Sequence, residues 1–211
     1  QMKNIIQNIR RLFFDNSCTC CGEKASDNLI YLCYNCLDKI VRQKSLNKVG
    51  DTYYIWPYKG EFRKLLLEYK NNSRLALGKI ISSLIEEEIF KVVYEEDIDY
   101  IVPIPINFRR EQIRGFNQVE EILKNLNYSF LKTNRVKNTK KMFKILDKEK
   151  RENNIKNSFK VDKEFKAKNI LIFDDIITTG ATIEEFKREL IKNGEVNKIV
   201  VFSLSASKTY M

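Results

Sequence analysis

The chain has 211 residues, with 38 Lys and Arg against 28 Asp and Glu, a formal charge of +10, and no histidine. Without histidine, an imidazole general base, triad member or metal ligand is excluded, and 43% hydrophobic with 31% charged residues excludes a disordered chain. No apolar run is long enough to span a membrane and no secretory signal stands at the start, so a cytoplasmic protein without an integral membrane segment is expected. The basic excess suits phosphate-rich partners, nucleotides or nucleic acid, and equally the lysine-rich usage of an AT-rich genome.

Lys3 to Phe14 carries Ile5, Ile6, Ile9, Leu12 and Phe13 at helical spacing. All five cysteines follow, between Cys18 and Cys36. Cys18-x-x-Cys21 and Cys33-x-x-Cys36 are two knuckles able to wrap four thiolates around one Zn²⁺, with a short hairpin expected through Leu29 to Leu32. A disulfide framework or a redox pair would also use paired cysteines; a reducing compartment disfavours the first and the tandem knuckles disfavour the second. A closed four-thiolate site leaves no position for catalysis, so this zinc is structural and holds together a segment too small to fold alone. Cys20 is left over, as a free thiol or as a competitor of Cys21 for the metal.

A helix is expected from Leu37 to Gln43, and the polar stretch Lys44 to Asp51 reads as a boundary between a module of residues 1–46 and a domain of residues 50–211. Within the second part, Tyr53 to Tyr58 reads as a strand, Glu61 to Lys70 and Arg74 to Val93 as helices, and Tyr100 to Pro105 as a buried strand stopped by prolines. Asn107 to Asn117 reads as a basic loop and Gln118 to Leu126 as a helix. Ser129 to Lys132 reads as a strand, Lys137 to Lys150 as a strongly basic segment, and Asn153 to Phe159 as turn-like. A strand at Ile170, a helix at Ile183 and a strand from Lys198 to Leu204 complete an alternating order. Strands alternating with helices predict an α/β fold with a mainly parallel sheet.

The densest chemistry lies in Asn169-Ile-Leu-Ile-Phe-Asp-Asp-Ile-Ile-Thr-Thr-Gly-Ala-Thr182. Ile170 to Phe173 is the continuous apolar run of a parallel strand covered on both faces. Asp174 and Asp175 follow at its carboxyl end, where open α/β sheets place ligands. Thr178, Thr179, Gly180, Ala181 and Thr182 then lead into a helix. Unpaired N–H groups at that helix start, hydroxyl donors and a glycine suit a phosphate. The carboxylates repel the phosphate itself and instead suit hydroxyls or a metal beside it, so the ligand predicted is a sugar phosphate.

This stretch resembles the phosphoribosyl-diphosphate (PRPP) loop of type I phosphoribosyltransferases. That resemblance implies that Asp174 and Asp175 hold the ribose hydroxyls and that residues 178–182 hold the 5-phosphate. Further matches are Val102-Pro-Ile-Pro105, Arg109-Arg110, Arg114-Gly-Phe-Asn-Gln118, Tyr69-Lys70, Arg151 and Asn154-Ile-Lys-Asn-Ser-Phe159. Together with the cysteines they resemble, over nearly the whole chain, the ComF family of competence proteins. The family resemblance implies a zinc ribbon ahead of a phosphoribosyltransferase-like sheet with helices on both faces. It implies that Lys70, Arg110 and Arg114 meet the diphosphate of Mg²⁺-bound PRPP. Gln112, Asn71-Asn72-Ser73 and Met142 depart from the family pattern. Two functions follow. One is PRPP binding tied to natural competence, with single-stranded DNA and competence-machinery proteins as partners. The other is transfer of ribosyl-5-phosphate to an acceptor, with Asp174 and Asp175 as catalytic residues.

Overall fold

The computed structural model describes residues 17–71, 74–136, 155–161 and 165–211. The expected helix at residues 3–14, the basic run at 137–150, and the matches at Arg151 and Asn154 lie outside these. A five-stranded sheet runs in the order β1 (Asn47–Val49), β2 (Thr52–Pro57), β7 (Gly194–Ala206), β6 (Phe165–Ile177), β3 (Tyr100–Pro103). The pairs β2–β7, β7–β6 and β6–β3 are parallel, and only the edge strand β1 is antiparallel. The expected mixed α/β fold with a mainly parallel sheet is therefore observed.

Because side chains alternate along a strand, β6 feeds two cores. Leu171 and Phe173 face α2 (Gly60–Asn71), α3 (Leu75–Glu95) and α5 (Gln118–Asn125). Ile170 and Ile172 face α6 (Ala181–Lys192) and a two-stranded ribbon of β4 (Asn134–Arg135) and β5 (Phe159–Lys160). All four β6 residues are fully buried, and each such side chain contributes about 1.5–3 kcal/mol. The apolar run in the sequence is the signature of a strand with two covered faces.

Three local expectations are corrected, and one strand appears that no expectation named. Residues 29–32 make turns rather than a hairpin: Leu29 N–H donates to Ser26 O at 3.0 Å, and Tyr31 takes φ of 68°. Leu32 is apolar because it enters the core, with no strand partner needed. Residues 44–51 contain β1, an edge strand whose exposure gives it a loop-like composition. The basic loop contains α4 (Phe108–Arg114), capped by Asn107, whose Oδ1 accepts from Arg109 N–H, and ended by Gly115 at φ of 84°. No α4 residue is buried, so it carries no apolar periodicity to read. Residues 129–132 form no strand; Leu131 N–H makes one bond to Ile101 O, and pairing begins at Asn134.

The cysteine segment, with α1 (Tyr34–Arg42), packs into the same core as α2. Trp56 stacks on Phe62 at 4.0 Å and donates its indole N–H to Ile40 O. Cys20 Sγ reaches Glu61 O at 3.4 Å, and Lys64 Nζ donates to Cys20 O at 2.7 Å. Among the described residues, no helix is long and apolar enough to cross a membrane.

Candidate functional site

Asp174 and Asp175 follow the apolar run of β6, near its carboxyl end. Being adjacent on a strand, they project to opposite faces of the sheet. Asp175 Oδ2 accepts Lys70 Nζ at 2.7 Å and the side-chain amide of Gln118. The other end of that amide accepts from Arg114. Lys70 reaches the acid because the preceding Tyr69 is locked: its hydroxyl donates to Gln118 O at 2.9 Å and its ring packs on Phe116. Burial holds the Tyr69 hydroxyl well above its ordinary pKa, so it remains a donor.

Asp174 lies on the α6 face, in register with Ser203. Its Oδ1 accepts the Asp175 N–H at 2.8 Å. Burial, and then the charge of Asp175, raise its carboxyl to about 7, while Lys70 and Arg135 act in the opposite direction.

The turn after β6 is tied down from the end of β7. Ser207 N–H donates to Ile177 O and its hydroxyl to Thr178 O, both at 2.8 Å. Gly180 takes φ of 77° at the N-cap of α6, and a Cβ there would fall 3.3 Å from the Tyr210 ring. Tyr210 is held in turn by a 2.8 Å hydroxyl contact with Thr52. Among the described residues no side chain caps α6, so its first N–H groups have no intrahelical partner. Thr179 Oγ1 is buried and has no hydrogen-bond partner among the described residues. An uncapped helix start, a glycine and an unused hydroxyl together offer donors to an anion.

Arg110 and Arg114 stand four residues apart on α4 and so share one helix face. Both are partly buried, and burial lowers the pKa of each while the charge of Asp175 opposes the shift. Arg109 points to solvent. The structure thus brings Lys70, Arg110, Arg114, Asp174 and Asp175 to one end of the sheet, beside the turn at 178–182. A cavity of about 320 Å³ borders Arg114 and Phe116, but Asp174, Asp175 and the turn do not line it.

The Sγ atoms of Cys18, Cys21, Cys33 and Cys36 all lie within 4.8 Å of one another. Cys21 and Cys33 are 3.8 Å apart, the edge of a tetrahedron with Zn–S bonds of about 2.3 Å. The four cysteines therefore fit a structural metal such as zinc. Cys20 points instead to α2, where burial first of all raises its thiol to about 11.

No family model matches the chain. Individual proteins do. DNA utilization protein YhgH of Escherichia coli K12 is 26% identical over 186 residues, 84% of this chain and 78% of that protein. Competence protein F of Haemophilus influenzae is 27% identical over 202 residues, 88% of this chain and 83% of its own. Competence protein ComFC of Streptococcus pneumoniae is 30% identical over 161 residues, 71% and 66% of the two chains. The chain belongs to the ComF family of competence proteins.

Two residues of this ComF site carry roles that the sequence does not announce. Gln118 ends the Arg114–Gln118 motif, yet only the fold shows it bridging Arg114 and Asp175. Tyr69 precedes Lys70 in the chain, and its use in locking α2 to α5 depends on contacts distant in sequence.

Proposed function

We propose that this ComF protein binds PRPP with Mg²⁺ and uses that binding in competence-linked handling of DNA. The observation that carries the reading is the junction at the end of β6. Two carboxylates lie there beside the uncapped start of α6, with Lys70, Arg110 and Arg114 gathered on the other side. A ribose phosphate bearing a diphosphate has hydroxyls for the acids, a monophosphate for the turn and a second anionic group for the three cations. The names of the relatives, competence and DNA utilization, support the biological half of the reading.

Lys70 is held on Asp175 by an ion pair that is mostly buried, with side-chain exposures of 18% and 7%. Ligand binding would exchange that pair for contacts to diphosphate and ribose, so no charge is left bare in either state. Arg114, steadied by Gln118, would aim its planar donors at phosphate oxygens. Bound Mg²⁺ would supply further positive charge to the diphosphate, with Asp174 and Asp175 as the acidic groups fitted to hold it or the ribose.

The enzymatic extension is transfer of ribosyl-5-phosphate to an acceptor. Positive charge then develops at the anomeric carbon as diphosphate leaves, and the two carboxylates would stabilise it.

Calorimetric titration with PRPP and Mg²⁺ tests the binding. The double variant Asp174→Asn, Asp175→Asn keeps shape and removes charge, and affinity should fall at least about tenfold, or about 1.4 kcal/mol. Undiminished affinity in that variant would sink the assignment. Diphosphate release during a screen of nucleobase-like acceptors would establish turnover.

A further inference from the structure

We propose that Tyr210 is a positioning residue of the phosphate turn. Its ring, packed against Gly180 and tied through its hydroxyl to Thr52, holds residues 178–182 in the shape that opens the start of α6 to a monophosphate. The inference rests on the sugar-phosphate reading of the site and assigns it a residue from the segment after β7, outside the acid–turn motif and the three cations already named.

The turn does not hold its shape by itself. Gly180 sits in the left-handed region at φ of 77°, and glycine gives up more chain freedom on folding than any other residue. Support comes from contacts distant in sequence. Ser207 donates its N–H to Ile177 O and its hydroxyl to Thr178 O, both at 2.8 Å, which fixes the entry of the turn. Tyr210 N–H returns to Ser207 O at 3.0 Å, and that second turn brings the ring to Gly180. The nearest ring carbon would stand 3.3 Å from a Cβ at residue 180, so glycine and ring fit each other with little room for a side chain between them.

The ring is anchored at its far end as well. The hydroxyl oxygens of Tyr210 and Thr52 are 2.8 Å apart, and Thr52, fully buried at the start of β2, donates its own O–H to Asp51 Oδ1 at 3.2 Å. Tyr210 is therefore the donor to Thr52. The other oxygen of Asp51 accepts Lys187 Nζ from α6 at 2.6 Å, and Lys187 also reaches Glu184 Oε1 at 3.1 Å. Glu184 N–H donates to Gly180 O at 2.9 Å. The path from Gly180 through Tyr210, Thr52, Asp51, Lys187 and Glu184 thus returns to Gly180. It restrains the exit of the turn as Ser207 restrains its entry. The Thr179 hydroxyl, buried without a partner among the described residues, and the first N–H groups of α6 stay unengaged by this path. Donors fixed in advance take up a phosphate without first having to be ordered.

The test uses the full zinc-loaded chain and two variants: Tyr210→Phe keeps the ring and loses the tie, and Tyr210→Ala loses both. The first readout needs no ligand. It is hydrogen exchange at the Glu184 and Ser207 amides, whose acceptors Gly180 O and Ile177 O flank the turn. Tyr210→Phe should speed both about fivefold, the effect of one hydrogen bond, and Tyr210→Ala should speed them further. The second readout is calorimetric affinity for two probes, ribose-5-phosphate and Mg²⁺-diphosphate. Tyr210→Ala should bind ribose-5-phosphate at least about tenfold more weakly and Mg²⁺-diphosphate within about twofold of wild type. Exchange identical in wild type and Tyr210→Ala overturns the inference. Equal loss of affinity for the two probes overturns it too, since a general loss of structure would give that result. Should Tyr210→Ala fail to fold, Tyr210→Phe and Thr52→Val each remove one hydroxyl of the same contact. Their effects on exchange should be equal and non-additive, and wild-type exchange in both overturns the inference. Absence of ribose-5-phosphate binding by wild type would count against the proposed function alone, because amide exchange answers for Tyr210 without any ligand.

Discussion

Tyr69 packs so closely on Gly78 that a Cβ at residue 78 would fall 2.8 Å from the ring and 2.9 Å from its hydroxyl oxygen. The glycine on α3 exists to let that ring through, since the hydroxyl continues to Gln118 O and the next residue is the lysine on Asp175. The Tyr69 side chain is fully buried and cannot swing aside as a surface chain would. Gly78→Ala should therefore cost about 1–3 kcal/mol in overpacking despite the better helix propensity of alanine. It should also weaken anion binding by displacing Lys70. Urea unfolding and phosphate-ligand titration measure the two effects; an unchanged unfolding midpoint would refute the contact.

One metal ion per chain is expected in purified protein. Cys33→Ser should release it and unfold the segment around the knuckles. Cys20→Ser should retain it, because Cys20 faces Glu61 and lies outside the four-sulfur cluster. Elemental analysis of the three proteins decides this, and loss of metal from Cys20→Ser would reassign the ligands.

Glu96 gathers three donors from three strands: Tyr53 Oη at 2.5 Å, Lys48 Nζ at 2.9 Å and Lys198 Nζ at 3.0 Å. The Tyr53 hydroxyl first, then Lys48 and Lys198, pull its carboxyl from 4.5 to about 2. A depressed folded-state pKa means that the stabilisation is complete above 4.5 and is lost as pH falls from there through about 2. Glu96→Gln should be less stable than wild type at neutral pH, and the gap should close across that acid window. Denaturant midpoints measured over the window check it; a pH-independent gap would mean that the charge of Glu96 contributes nothing.

The DNA reading rests on the basic run Lys137, Lys140, Lys141, Lys144, Lys148 and Lys150, which lies outside the described residues. Binding to single strands should be indifferent to sequence and should weaken steeply with salt, since each phosphate neutralised releases a counterion. Replacing Lys140, Lys141 and Lys144 with Gln should flatten the salt slope and leave PRPP affinity unchanged. Without detectable single-strand binding by wild type at low salt, direct contact fails and a partner protein must supply it.

The parts legible in the sequence were those encoded locally. The four-thiolate cluster could be read from cysteine spacing, because a tetrahedral ion imposes short-range geometry. The β6 strand could be read from an unbroken apolar run, because a strand covered on both faces needs no polar alternation. The turn after it followed from threonines and a glycine at a helix start. Elements without an apolar face escaped: α4 has no buried residue, and β1 is an exposed edge. The partners of Asp175 could not be read at all: Lys70 and Gln118 reach it from far along the chain. The sequence by itself determined which chemical groups are present and that they follow a buried strand. Only the tertiary structure decided that Lys70 and Gln118 meet Asp175, because strand parity sends neighbouring side chains to opposite faces and long-range packing chooses what meets them there.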